Sequence, residues 1–145
     1  MTTATIQAVR VQRTLSATPE RVFDAWLDPE ALSQFMKPGG AHRSADAATD
    51  PRVGGRFVIT MLEENRVFPH TGEYLEIDRP RKLVFTWYSK ATSMAKSTVT
   101  VELAPVAGGK TEITLTHVGV PQDQMDNHNG GWTAIMDLLQ GVLNS

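Results

Sequence analysis

Between Pro121 and Leu143 the chain carries Trp132, Ile135, Met136, Leu139, Val142 and Leu143, at offsets of 0, 3, 4, 7, 10 and 11. That spacing is the apolar stripe of an amphipathic helix. Asp123 is expected to cap it, with Asp126 three residues on as an imperfect capping box. No second helix of comparable length is legible in the chain. The stripe must therefore bury against a sheet, and the middle of the sequence reads as strands. Gly130-Gly131 interrupt the first half of this helix, at a cost of about 1 kcal/mol each relative to Ala. Close contact with a strand is the expected reason, and room left for a ligand is a compatible second one.

Upstream, Thr5 to Leu15 is rich in β-branched residues without helical period and reads as a first strand. Thr18-Pro19-Glu20 and Asp28-Pro29-Glu30 are two successive helix starts: a capping side chain, Pro at the first helical position, an acid in the first turn. Two short helices in tandem follow, with apolar faces at Val22, Phe23, Trp26 and Leu27, then at Leu32, Phe35 and Met36. Ala41–Thr49 is expected as a short edge strand. Arg56–Leu62, Val67–Asp78, Lys82–Ser89, Ser97–Ala104 and Thr111–Val118 read as further strands. Pro69 and Gly72 mark the second of these five as an edge or a bulge. Gly54-Gly55 and Gly108-Gly109 are turns. The class is α+β: an antiparallel sheet of about six or seven strands, which must twist and curl around the long C-terminal helix. Such a sheet stands away from a straight helix along part of its length. Three Trp, two Tyr and five Phe are available to fill or line the space between them.

A chain of 145 residues reads as a single domain, 1–145, long enough to bury about 68–70% of its unfolded surface. A net charge of −2 gives no reason to expect nucleic acid or anionic lipid as a partner. The absence of cysteine removes disulfides, thiolate metal sites and thiol nucleophiles, and suits a cytoplasmic location. Neither a signal core nor a run long enough to span a membrane is present.

Four blocks fall in a specific order: Thr14 to Trp26 (TLSATPERVFDAW), Gly72 to Trp87 (GEYLEIDRPRKLVFTW), Ser97 to Leu103 (STVTVEL), and Thr111 to Leu143 (TEITLTHVGVP through HNGGWTAIMDLLQGVL). Together they resemble the activator of heat-shock-protein-90 ATPase homologue family of START-like (SRPBCC) domains, over nearly the whole chain. The resemblance implies the helix-grip fold and a deep, largely apolar cavity between sheet and C-terminal helix. Superfamily relatives hold lipids, sterols, polyketides or hormones there, and a few do chemistry. In the eukaryotic co-chaperone the START-like domain follows a separate N-terminal domain that engages the chaperone. This sequence begins at its first strand, so that half is not expected here.

Candidate ligand-binding residues are His128, Trp132, Tyr74, Trp87, His117, Met136 and Phe57. His117 alternates with Ile113 and Leu115, and His128 lies one turn before Trp132, so both belong to the sheet–helix interface. They could bind the polar group of a ligand. Equally, each could be hydrogen-bonded where strand meets helix, the preferred reading for His117. Tyr74, Phe85, Trp87 and Trp132 bring apolar bodies, three of them with polar tips. Met61, Met125 and Met136 would make an adaptable wall. His42 and His70 are expected at solvated turns, and Arg56, Arg79, Arg81 and Lys82 at solvated strand ends. Glu73 alternates with Leu75 and Ile77, which would turn it inward as an acid or base, with pairing to an Arg the plainer expectation. Without closely spaced His ligands no metal is expected, and no cofactor motif or nucleophile elbow is present.

The expected function is binding of a small hydrophobic ligand under the C-terminal helix, with the loops Lys37–Gly40 and Lys90–Lys96 gating it. Alternatives are a cyclase- or hydrolase-type enzyme using the same cavity, or a chaperone accessory. Partners would be the ligand and a second copy of the chain through exposed edge strands.

Overall fold

The computed structural model describes residues 8–37, 44–63, 66–89 and 96–144. Strands β1 (Ala8–Leu15), β2 (Ser44–Thr49), β3 (Arg56–Glu63), β4 (Arg66–Asp78), β5 (Lys82–Trp87), β6 (Ser97–Val106) and β7 (Lys110–Val118) form one antiparallel sheet in the order β1-β7-β6-β5-β4-β3-β2. The first and second strands thus lie at opposite edges. Helices α1 (Pro19–Leu27) and α2 (Pro29–Phe35) stand between them in sequence, and α3 (Met125–Leu143) closes the chain. The curved sheet grips α3, as the sequence pattern requires.

Both short helices start as their sequences demand. Thr18 Oγ1 accepts from the Arg21 amide at 3.4 Å, and Asp28 Oδ1 accepts from the Glu30 amide at 3.1 Å. Asp28 is extended (φ −85°, ψ 118°), so one residue ends α1, makes the bend and caps α2. Arg79 anchors α1 to the β4–β5 turn with a two-bond fork on Asp24, at 2.8 and 3.0 Å. It is therefore a tether as well as an exposed strand end. The capping box expected for α3 is not made. Asp123 lies inside a 3-10 turn, Gln122–Gln124, and Gln124 takes the cap position without a capping bond from its side chain. Backbone bonding replaces the side chain there: the Gln124 amide donates to the Pro121 carbonyl at 2.9 Å.

β4 carries the bend of the sheet. Its first half pairs with β3 and its second with β5, with a register shift between Tyr74 and Glu76. That bulge resets the side-chain phase. Tyr74 is 2% exposed and Leu75 41%, whereas Ile77 packs against the core. Glu73 consequently does not share an inward face with Ile77; it lies opposite Arg56 beside the exposed Val58 and Leu75. Gly72 answers a close approach rather than the bulge itself. A Cβ there would collide with the Thr86 carbonyl oxygen and the Phe57 ring. Pro69 does not make β4 an edge strand along its length. The Thr71 amide donates toward β5, to Tyr88, at 3.1 Å. Pro69, two residues earlier, faces the same way, beyond the last paired residue on that side.

Trp132, Ile135, Met136, Leu139 and Leu143 of α3 are buried against Val9, Val11 and Leu15 of β1, the inward residues of β5 to β7, and the α1–α2 face. At Gly130 and Gly131 the expectation of strand contact fails: a Cβ at either would meet no described atom within 4 Å. No helix among the described residues is long and apolar enough to cross a membrane.

Candidate functional site

Where β5, β6 and β7 meet α3, polar groups form a directed chain. Trp132 Nε1–H lies 3.1 Å from His117 Nδ1. An indole nitrogen only donates, so Nδ1 is the acceptor and carries no proton. The proton of the neutral ring is therefore on Nε2, which donates to Ser97 Oγ at 2.8 Å. The Ser97 hydroxyl in turn donates to the Trp87 carbonyl at 2.6 Å. His117 is 0% exposed. Its pKa falls to about 3, first because burial disfavours the cation and then because His128 adds like charge.

This geometry decides what His117 can do. Ser97 and His117 lie at the separation of a serine–histidine pair, yet the ring nitrogen facing the hydroxyl already bears the proton. It cannot take another from serine, and its acceptor nitrogen is engaged by Trp132. A cyclase or hydrolase would need a base elsewhere. His117 pins sheet to helix, hydrogen-bonded to Ser97 of β6 on one side and to Trp132 of α3 on the other.

Two further imidazoles surround this pin. His128 is half-buried, its ring 5.3 Å from that of His117, and its Nδ1–H donates to the Gln124 carbonyl at 2.9 Å. His70, expected at a solvated turn, instead lies within β4 with its ring 5.0 Å from Trp87. Its Nδ1–H donates to the Phe68 carbonyl at 2.9 Å. Burial lowers its pKa, and the charge of His128 acts in the same direction. The parity of His70 with Gly72 and Tyr74 along the strand was the signal for its inward position. Among the described residues, no three His, Asp or Glu side chains converge as a metal site would require.

The seven sequence candidates come together in one interior. Trp87 and Trp132 pack with ring centroids 5.3 Å apart and planes inclined by 55°, and Phe57 lies against both Trp87, at 6.1 Å, and Tyr74, at 5.4 Å. Met136 is fully buried on α3. Under α3 the room around His117 is occupied by these rings. A void lies one layer away, at the seam of α1 and α2 with β3 to β5, walled by Trp26, Leu32, Met36, Phe57, Ile59, Tyr74 and Phe85. It holds about 10 Å³, close to the least that admits a single water. Burial pushes the Tyr74 phenol up to about 12, helped by the charge of Asp50, so it keeps its proton at any physiological pH. Trp26, 2% exposed, has an Nε1–H with no acceptor among the described residues. Ring contacts at 6.4 Å to Trp132 and 5.3 Å to Phe35 fix its indole in place. Trp26 and Ser97 are the residues sequence reading did not single out for this site. A Trp on the buried face of α1 was legible, but its lack of an acceptor was not. His42 and most of the two expected gating loops lie outside the described residues.

A curved antiparallel sheet gripping a C-terminal helix, with an aromatic interior between them, defines a helix-grip protein of the START-like class. The chain belongs to the family described as activator of Hsp90 ATPase homolog 1-like proteins, whose model matches residues 16–144. Protein CV1439 from Chromobacterium violaceum is 27% identical, with 95% of this chain and 97% of that one covered and a TM-score of 0.83. PFC0360w, an HSP90 activator from Plasmodium falciparum, is 25% identical, with 94% and 96% covered and a TM-score of 0.75. Protein NE0264 from Nitrosomonas europaea has the same fold at 24% identity, 94% coverage of each chain and a TM-score of 0.78. No curated protein matches the chain significantly.

Proposed function

We propose that the protein binds a small, largely apolar molecule between its helices and the concave face of the sheet. The observation that carries this reading is the seam void, walled by seven side chains from α1, α2, β3, β4 and β5, none of them charged. As it stands the void is too small for an organic guest, so binding displaces part of its wall. Met36 is the side chain suited to move, being unbranched and placed at the end of α2. α2 has only seven residues, too few to be stable without its packing. A guest burying about 200 Å² of apolar surface gains roughly 5 kcal/mol before these costs, a modest affinity unless a polar contact adds to it. The direct test is thermal unfolding with a panel of sterols, fatty acids and aromatic ketones. A ligand at about 100 times its Kd stabilises the fold by about 2.7 kcal/mol, a readily measured rise in Tm. A flat response across the panel removes the reading.

A second reading, a chaperone accessory, is favoured by the similarity to an HSP90 activator. Stimulation of the cognate chaperone's ATPase by the purified protein tests it, and an unchanged rate at saturating protein refutes it.

A further inference from the structure

We infer, resting on the binding reading above, that the guest is a neutral molecule carrying a hydrogen-bond acceptor such as a ketone, quinone or lactone oxygen, and that Trp26 Nε1–H is the donor that orients it. Around His117 the polar groups are already committed to one another. Trp132 donates to His117, His117 to Ser97, and Ser97 to the Trp87 carbonyl. Trp26 is different. Its indole is buried against the seam void, and its single polar atom has no acceptor among the described residues. A buried donor left unpaired is a standing cost, which Phe would avoid while still filling most of the same space. Trp at this position is therefore accounted for when something else supplies the acceptor.

The chemistry of the walls narrows that supplier. An indole N–H only donates, so the complementary atom must accept. Trp26, Leu32, Met36, Phe57, Ile59, Tyr74 and Phe85 include no cation, so a fatty-acid carboxylate would be stranded among them. They include no anion, which argues equally against an amine. Tyr74 remains a phenol rather than a phenolate, and so adds no charge. What fits is a flat, neutral, mostly hydrocarbon body with one exposed oxygen, held by ring contact and aimed by Trp26.

Fluorenone and fluorene test this as a matched pair, alike in shape and differing by one carbonyl oxygen. Calorimetric titration of the wild-type protein is expected to give roughly tenfold tighter binding of fluorenone. In Trp26→Phe that preference should vanish, fluorenone and fluorene binding alike whatever the change in overall affinity, and decanoate should bind neither protein. The Trp26 indole N–H resonance of the wild-type protein gives a second readout that needs no variant. It should move downfield with fluorenone and not with fluorene. Equal wild-type affinity for the two compounds, or an indole resonance indifferent to the carbonyl, overturns this inference and leaves apolar binding standing. If neither compound binds and the wider panel leaves Tm unchanged, both readings fall together.

Discussion

Replacing His117 by Phe should make the protein less sensitive to acid while making it less stable at neutral pH. In the folded chain the imidazole stays neutral down to a pKa of about 3, against an ordinary value of 6.5. Below pH 6.5 the unfolded chain takes up a proton that the folded chain refuses, so acid favours unfolding. The loss approaches about 1.4 kcal/mol per pH unit and sums to about 2 kcal/mol between pH 6.5 and 4.5. The His117→Phe variant has no such titration, but it leaves the Trp132 indole N–H buried and unpaired, an offset of about 1–3 kcal/mol that does not vary with pH. Burial lowers the His70 pKa as well, and because His70 is present in both proteins its contribution largely cancels. Urea unfolding followed by Trp emission at half-unit pH steps should therefore show the variant less stable at pH 7. The gap should narrow by about 2 kcal/mol by pH 4.5. Parallel stability profiles would refute the reasoning. So would a His117 ring resonance that titrates near pH 6.

Four other substitutions follow from the same geometry. Ser97→Ala strips His117 Nε2–H of its acceptor and should cost about 1–3 kcal/mol in chemical denaturation; a neutral result would mean the ring bonds elsewhere. Gly72→Ala sets a methyl group onto the Thr86 carbonyl and the Phe57 ring, and a loss of about 2–3 kcal/mol is expected, read as a fall in Tm. Gly130→Ala and Gly131→Ala meet no described atom within 4 Å and neither glycine has a positive φ. Each should stabilise the fold by about 0.5–1 kcal/mol, and a loss of stability at either would show that the face is covered.

The long-range plan was readable because it rests on period. The α3 stripe demanded a sheet, and the clean alternation of β6 and β7 supplied two adjacent strands of it. The paired Thr-Pro-Glu and Asp-Pro-Glu signals placed α1 and α2 because their caps are local. What escaped depended on contacts between distant segments. The bulge after Tyr74 reverses the side-chain phase of β4; Pro69 and Gly72 pointed to a bulge in that strand but not to its place. Glu73 was therefore assigned inward on a phase that the bulge breaks, whereas His70 was expected at a solvated turn and lies within the strand. Likewise the sequence offered Gly130-Gly131 as a close-contact site, although the tight approach is at Gly72, set by β5 and Phe57. His117 was placed correctly, but its proton could be assigned only once Trp132 and Ser97 were known to flank it. The acceptor missing at Trp26 is a property of the assembled interior and leaves no mark in composition or spacing.

The strand order carries a consequence for how the chain is made. β1 forms its ladder with β7, Ala8 opposite Val118, so the earliest strand to leave the ribosome pairs with the latest. At synthesis rates of about 5–20 residues per second, that partner trails by roughly 5–20 seconds. Until it arrives, Val9, Val11 and Leu15 have no sheet to join, and β2 to β6 can assemble only from their own side. Closure of the β1–β7 seam is thus a late, non-local step of the kind that slows folding. Nascent chains halted before Lys110 should be conspicuously easier to digest than those released a few dozen residues later.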